Sequence, residues 1–401
     1  MSTDTRRRSR LSAARRPGLA LLVALLLVTL PLRAPITAVP PALGQIIEDL
    51  SLGPVQAGLA TTLPLLCFGV FAFVTPWFTA RLGRERTLGV ALAILAVGLA
   101  VRLVATVPAF FGGALLMGVG VAVANVVIPA VVRARLPHRL ALTMGLYTVM
   151  LIISGSGGAF VTPLLMGGAG WSWPAAIGVW LLPTLVGLAV WALVARAPTL
   201  PATASAKDTH HSATTPLSTI VRRPLAWAVT AVMGAQSLVF YTLLTWLPTQ
   251  LIGQGWSVAD AGWGLAVANI LGLPGSFLGP RLLGARHRTA LLVGVASGYA
   301  VGLVLIATGA GAVPGLVLVG LGQGATLAVA LTAIAHQRDH ADVPATSALA
   351  QGVGYLISAS GPVLAGWLFA VTGGFVILDA VLIVVLAVWA GCTIWVARAE
   401  Y

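Results

Sequence analysis

Acidic residues are scarce in this chain: ten Asp and Glu against 23 Lys and Arg in 401 positions. Charged residues of both signs make up only 8% of it, where a soluble globular chain carries about 25%. A chain this poor in charge cannot clothe itself in a solvated surface. It reads as an all-α polytopic membrane protein. Cysteine is equally scarce. Cys67 and Cys392 both fall in apolar segments, with no spacing that suggests a metal site or a disulfide framework, so they read as small packing residues. No span holds a histidine. His138, His210, His211, His287, His336 and His340 all fall in polar connections. A GxxxxGK[ST] phosphate loop is missing too, which excludes ATP-driven pumping by this chain alone. Ser156, in the run SGSGG at 154–158, has no intramembrane base to activate it. That run and GVGVAVANVVIPA at 118–130 read as close helix crossings.

What the chain has in abundance is long apolar runs. Runs of about 20 residues cross a bilayer, and twelve are expected here, at 18–42, 54–80, 87–104, 107–132, 141–167, 174–196, 224–249, 259–283, 289–309, 312–335, 344–370 and 374–397. The first continues well past the apolar core of a signal peptide and shows no clear cleavage site, so it is expected to be a retained span. Residues 1–17 before it form a basic tail. Of the 23 Lys and Arg, 21 fall in that tail, in alternate connections, or at the other chain end. The positive-inside rule then places both termini in the cytoplasm. It also accounts for the formal net charge of +13 without a nucleic-acid partner.

The segment 197–223 is polar and rich in Ala, Thr, Ser and Pro. It reads as a flexible cytoplasmic linker between bundles at 18–196 and 224–397. The halves resemble each other at an offset of roughly 200 residues. GVGVAVANVVIPA faces GLGQGATLAVALT at 320–332, and Gly58 and Pro76 match Gly262 and Pro280. Two parallel repeats imply a solute site between them near the bilayer midplane.

Only Arg33 and Arg102 fall outside the basic pattern. Arg102 is at the outer end of the third span, where snorkelling to the headgroups is expected. Arg33 is different. It lies in LPLRAPITAVPP, residues 30–41, roughly 24 Å into the first span at about 1.5 Å per residue. An arginine at a helix centre costs about 2.5–3.5 kcal/mol on insertion scales. No carboxylate is an obvious partner. Glu48 and Asp49 are expected in the first outer loop, and Asp379 alone falls inside a span, the last one. Pro31, Pro35, Pro40 and Pro41 break the helix around the charge and free its carbonyls. A small anion is the natural partner for such a guanidinium. The competing reading is that backbone carbonyls and hydroxyls satisfy Arg33 and it only ties helices together.

Several stretches carry a family resemblance. RLGR at 81–84 is similar to the basic turn of the major facilitator superfamily, with Ala80 in the place of its usual acidic residue. LRAPIT at 32–37, NVVIPAVVRARLP at 125–137, MGLYT at 144–148, GLGQG at 320–324 and SALAQGVGYLISASGPVLAG at 347–366 resemble the cyanate permease branch of that superfamily. The resemblance covers nearly the whole chain outside the tail and linker. It implies a major facilitator fold of 12 transmembrane helices in two six-helix bundles. It also implies that Thr37, Asn125, Tyr147, Gln236, Tyr241, Gln323, Gln351 and Tyr355 join Arg33 around the solute, although interhelical hydrogen bonding is an alternative for each.

The function expected is transport, secondary active or facilitative, of a small anionic or polar solute by alternating access. No cofactor, no metal and no enzyme activity are expected, and a monomer in the cytoplasmic membrane of a prokaryote is. Two alternatives stand beside it: export of neutral aromatic compounds such as nitroimidazoles, and a non-transporting membrane sensor or assembly protein.

Overall fold

The computed structural model describes residues 19–196, 215–277, 279–337, 339 and 341–400. The expected tail at 1–17 and most of the expected linker, 197–214, lie outside them. Every regular element among the described residues is helical. Ten helices are long and apolar enough to cross a membrane.

The first span, α1 (Leu19–Thr37), turns at residues 30–33 and continues as α2 (Val39–Leu50). The helix therefore runs past its expected end at 42, and Glu48 and Asp49 lie in its last turn rather than in a loop. The added turns bury Leu43, Ile46 and Leu50, and Trp173 Nε1 donates to Asp49 Oδ2 at 2.8 Å. Next come α3 (Pro54–Leu82), α4 (Arg84–Val101), α5 (Val107–Arg135) and α6 (Leu140–Pro163). The sixth span is split into α7 (Trp173–Gly178) and α8 (Leu181–Arg196). A four-residue helix, α9 (Leu217–Ile220), precedes α10 (Pro224–Gly253) and α11 (Val258–Ser276). The chain closes with α12 (Gly279–Gly284), α13 (Arg288–Ala307), α14 (Ala312–Ala335), α15 (Val343–Thr372) and α16 (Val376–Glu400). Helices α4 and α11 are packed among the ten apolar ones, an arrangement consistent with twelve crossings.

The helices before residue 197 meet those after residue 214 through α3 on α15, α6 on α11, and α2 on α10. Glycine allows two of these seams. A Cβ at Gly58 would land on the Pro362 carbonyl, and one at Gly262 on Pro163 and the Ala159 carbonyl. These two glycines are the pair matched by the internal repeat. Both sit at the end of the bundle opposite the basic turns. There Thr62 Oγ1 donates to Ala359 O at 2.7 Å, Trp246 Nε1 donates to Pro362 O at 2.9 Å, and Phe160 stacks on Trp263 with centroids 5.6 Å apart.

Two further sequence expectations need correction. Arg102 does not turn out to the headgroups: it is 2% exposed. Its guanidinium lies over the Phe110 ring, 4.6 Å from the centroid, with Nη1 3.7 Å from Met117 Sδ. A neighbouring aromatic face offers this cation a site inside the bundle. Residues 215–223, expected as part of a flexible linker, are clamped. Arg223 pairs with Asp342, Thr215 Oγ1 donates to Asp342 Oδ1 at 2.5 Å, and Thr215 N donates to Ala341 O at 3.1 Å. Ile220 is buried against Ala226 and Leu349.

Candidate functional site

The site begins with the backbone of α1. Pro31 and Pro35 bring no N–H to the helical ladder. Leu32 N bonds Thr29 O, and Ile36 N and Thr37 N both bond Arg33 O, each at 3.1 Å. That leaves the N–H groups of Arg33 and Ala34. Both donate to one side-chain atom, Ser154 Oγ on α6, at 3.1 and 2.9 Å. The same hydroxyl donates to Leu30 O. The broken turn is thus satisfied from a neighbouring helix, and Arg33 projects from it.

The Arg33 side chain enters a cavity of about 210 Å³ between the two sets of crossings. Its Nη1 donates to Tyr241 Oη on α10 at 3.2 Å. Tyr241 and Tyr355 meet edge to face with centroids 6.3 Å apart, and Tyr355 packs on Phe68 at 5.5 Å. Among the described residues no carboxylate pairs with Arg33: the ion pairs are Arg135 with Glu85, at 3.0 Å, and Arg223 with Asp342. Asp379 is buried elsewhere, accepting from Gln250 Nε2 at 2.7 Å. Arg33 is one of the residues that line the cavity. From Arg33 the lining runs along α6, α11 and α14 as far as Thr148, Ser276 and Leu331, toward the end of the bundle that carries the basic turns.

Of the nine residues expected at the site, six line this cavity: Arg33, Thr37, Gln236, Tyr241, Gln323 and Tyr355. Thr37 Oγ1 also lies 3.3 Å from the carbonyls of Arg33 and Ala34. Gln236 Nε2 bonds within its own helix, to Ser237 Oγ at 2.5 Å. The remaining three are not among the lining residues. Tyr147 donates to Asn125 Oδ1 at 3.0 Å, joining α6 to α5, and Gln351 donates to Ser347 Oγ at 2.8 Å along α15. The lining also contains Asn269, Ser237 and Phe240, which the sequence reading did not single out. Each is one modest residue in a long apolar run, and no local signal marks it. Ser154 was seen only as part of a small-residue crossing, because its partners lie 120 or more positions away.

A helical bundle with a central cavity suits many carriers, and sequence likeness gives the family. The sequence signature of the Major Facilitator Superfamily matches residues 21–336. The chain belongs to this superfamily. It is 33% identical over 357 residues to the 2-nitroimidazole transporter of Escherichia coli (strain K12), covering 87% of this chain and 88% of that protein. An uncharacterized transporter, YycB, of Bacillus subtilis (strain 168) is 32% identical over 373 residues, covering 92% and 91% of the two chains. The cyanate transport protein CynX of E. coli (strain K12) is 28% identical over 359 residues, covering 88% and 91%. The fold of this superfamily member is similar to solved carriers. A bacterial homologue of the human lysosomal transporter Spinster superposes with a TM-score of 0.76 at 15% identity, covering 96% of this chain and 97% of that one. A D-xylose–proton symporter gives 0.70 at 15% identity, covering 96% and 97%. The protein is a multi-pass membrane transporter rather than an enzyme.

Proposed function

We propose that this transporter carries a small planar solute with an anionic or similarly electron-rich end, held by Arg33, across the cytoplasmic membrane. The observation that carries the reading is a guanidinium projecting into an aromatic-walled cavity with a tyrosine hydroxyl as its protein acceptor and no described carboxylate beside it. A planar fork of donors recognises carboxylate-like or nitro-like oxygens in two-point fashion. Cavity size supports a small solute: about 210 Å³ is below the roughly 300–1,000 Å³ of drug-sized sites. Both termini and the basic turns face the cytoplasm on the positive-inside rule. The cavity then faces the cytoplasm, and the Gly58 and Gly262 seams close the outer side. Bundles at 18–196 and 224–397 rock about the solute, and the carrier works as a monomer.

A second reading, a neutral aromatic solute, is favoured by the tyrosine and phenylalanine rings of the wall and by the likeness to the 2-nitroimidazole transporter. Counterflow in proteoliposomes with cyanate, benzoate and 2-nitroimidazole separates the two. On the anion reading, Arg33→Ala weakens anion binding about 10–100-fold, the worth of one charge-assisted hydrogen bond of about 1.5–3 kcal/mol. Arg33→Lys recovers part of the loss. Unchanged anion transport in both variants rejects the site.

A further inference from the structure

We propose that Ser154 is a positioning residue for the solute site: its hydroxyl holds one step of α1 open and so sets the direction in which Arg33 enters the cavity. The proposal rests on Arg33 being the solute-binding cation. In an unbroken helix Ala34 N would donate to Leu30 O. Here the Ser154 hydroxyl stands between them, accepting from Ala34 N at 2.9 Å and donating to Leu30 O. It also accepts from Arg33 N at 3.1 Å, a donor that would otherwise seek Thr29 O. A serine hydroxyl offers one donor and two acceptor positions, and all three are used. A side chain inserted into the ladder is a known cause of a helix kink.

The surroundings support a built feature. Ser154 is fully buried. One turn further along α6, a Cβ at Gly158 would collide with Thr37 Oγ1 and the Ala34 carbonyl, so only glycine lets α1 seat this closely. Ser156, on the same helix, is a useful contrast. It is buried too, yet its hydroxyl has no hydrogen-bond partner among the described residues. Burial of a serine in α6 does not by itself produce the clamp. With the clamp removed, the Arg33 and Ala34 N–H groups beside Pro31 and Pro35 lose their shared acceptor, and the residue-33 side chain is no longer held toward Tyr241.

Two measurements test this. The first is counterflow of cyanate and 2-nitroimidazole for Ser154→Ala, the isosteric pair Ser154→Thr and Ser154→Val, and Ser156→Ala. The Thr and Val substitutions share a shape and differ by the hydroxyl, so their comparison stands even where a variant is poorly produced. Positioning predicts a half-saturation concentration raised about tenfold in Ser154→Ala and Ser154→Val, as expected for losing one or two hydrogen bonds. The Ser154→Thr and Ser156→Ala carriers stay near the parent value. A merely structural role lowers only the maximal rate, through fewer folded carriers. The second measurement needs no solute. Arg33→Cys, in a chain with Cys67→Ala and Cys392→Ala, is reacted with an anionic methanethiosulfonate in inside-out vesicles. The reaction slows several-fold when Ser154→Val is added and does not slow with Ser156→Ala. If Arg33→Ala impairs binding while half-saturation and labelling ignore Ser154, the positioning claim alone falls. If Arg33→Ala transports normally, the solute site falls and this claim with it.

Discussion

The seam at Gly58 gives the sharpest handle on the transport cycle. In Gly58→Val the new side chain meets the Pro362 carbonyl and the Val363 Cα. These are backbone atoms of α15 and cannot rotate away, so α3 and α15 must separate. Overpacking of this kind costs about 1–3 kcal/mol. The cost falls only on the conformation in which the seam is closed. An energy difference of about 1–3 kcal/mol between two states shifts their ratio about 5–150-fold, which on the proposed alternating-access cycle is toward the outward-open form. The assay is labelling of a single cysteine, Ile152→Cys, which lines the cavity on α6, with an impermeant maleimide added outside intact cells. The native cysteines are first replaced by alanine. Labelling is expected to rise by at least about fivefold, the lower bound of that range. Gly262→Val, at the α6–α11 seam, should act in the same direction. An unchanged labelling rate in a well-folded, normally transporting Gly58→Val carrier would show that the contact exists in both conformations, and the reasoning would fail.

Two further outcomes concern buried polar groups away from the cavity. Gln250→Leu strips the Asp379 carboxyl of its amide donor and should destabilise by about 1.5–3 kcal/mol. Gln250→Leu with Asp379→Leu should recover most of the loss in a thermal melt in detergent, and no recovery means that Asp379 has another partner. Arg102→Met should be neutral or stabilising, because it removes a buried charge with no ion-pair partner among the described residues; replacing even a buried ion pair by apolar side chains is often stabilising by about 1–4 kcal/mol. Arg102 Nε and Nη2 are buried with no acceptor among the described residues. A clear drop in the melting midpoint of Arg102→Met would mean that stacking on Phe110 outweighs the cost of burying the charge.

The spans were legible because bilayer thickness imposes a length on every apolar run, and α3, α5, α10 and α15 announce themselves by it. Arg33 was legible for the opposite reason, as a costly exception within such a run. Its neighbours were harder. Tyr147 and Asn125 are polar residues on the expected helices, yet they satisfy each other at 3.0 Å, a pairing set by rotation of α5 against α6 that no sequence period encodes. Arg102 shows the same limit. Its orientation depends on Phe110 and Met117 in the following helix, so depth along the chain was a poor guide. The segment at 215–223 looked like linker because its composition is polar, and its anchor, Asp342, lies more than a hundred positions away.

The bond from Arg33 to Tyr241 joins residues 208 positions apart, one in the first six crossings and one in the last six. It bears on the economy of the cycle. On the proposed site, a solute that takes the guanidinium also frees the tyrosine, so a loaded molecule has already let go of this cross-link. An empty one must break it at every reorientation. On that reading the latch favours swapping one solute for another over returning unloaded, and exchange across the membrane outpaces net flow.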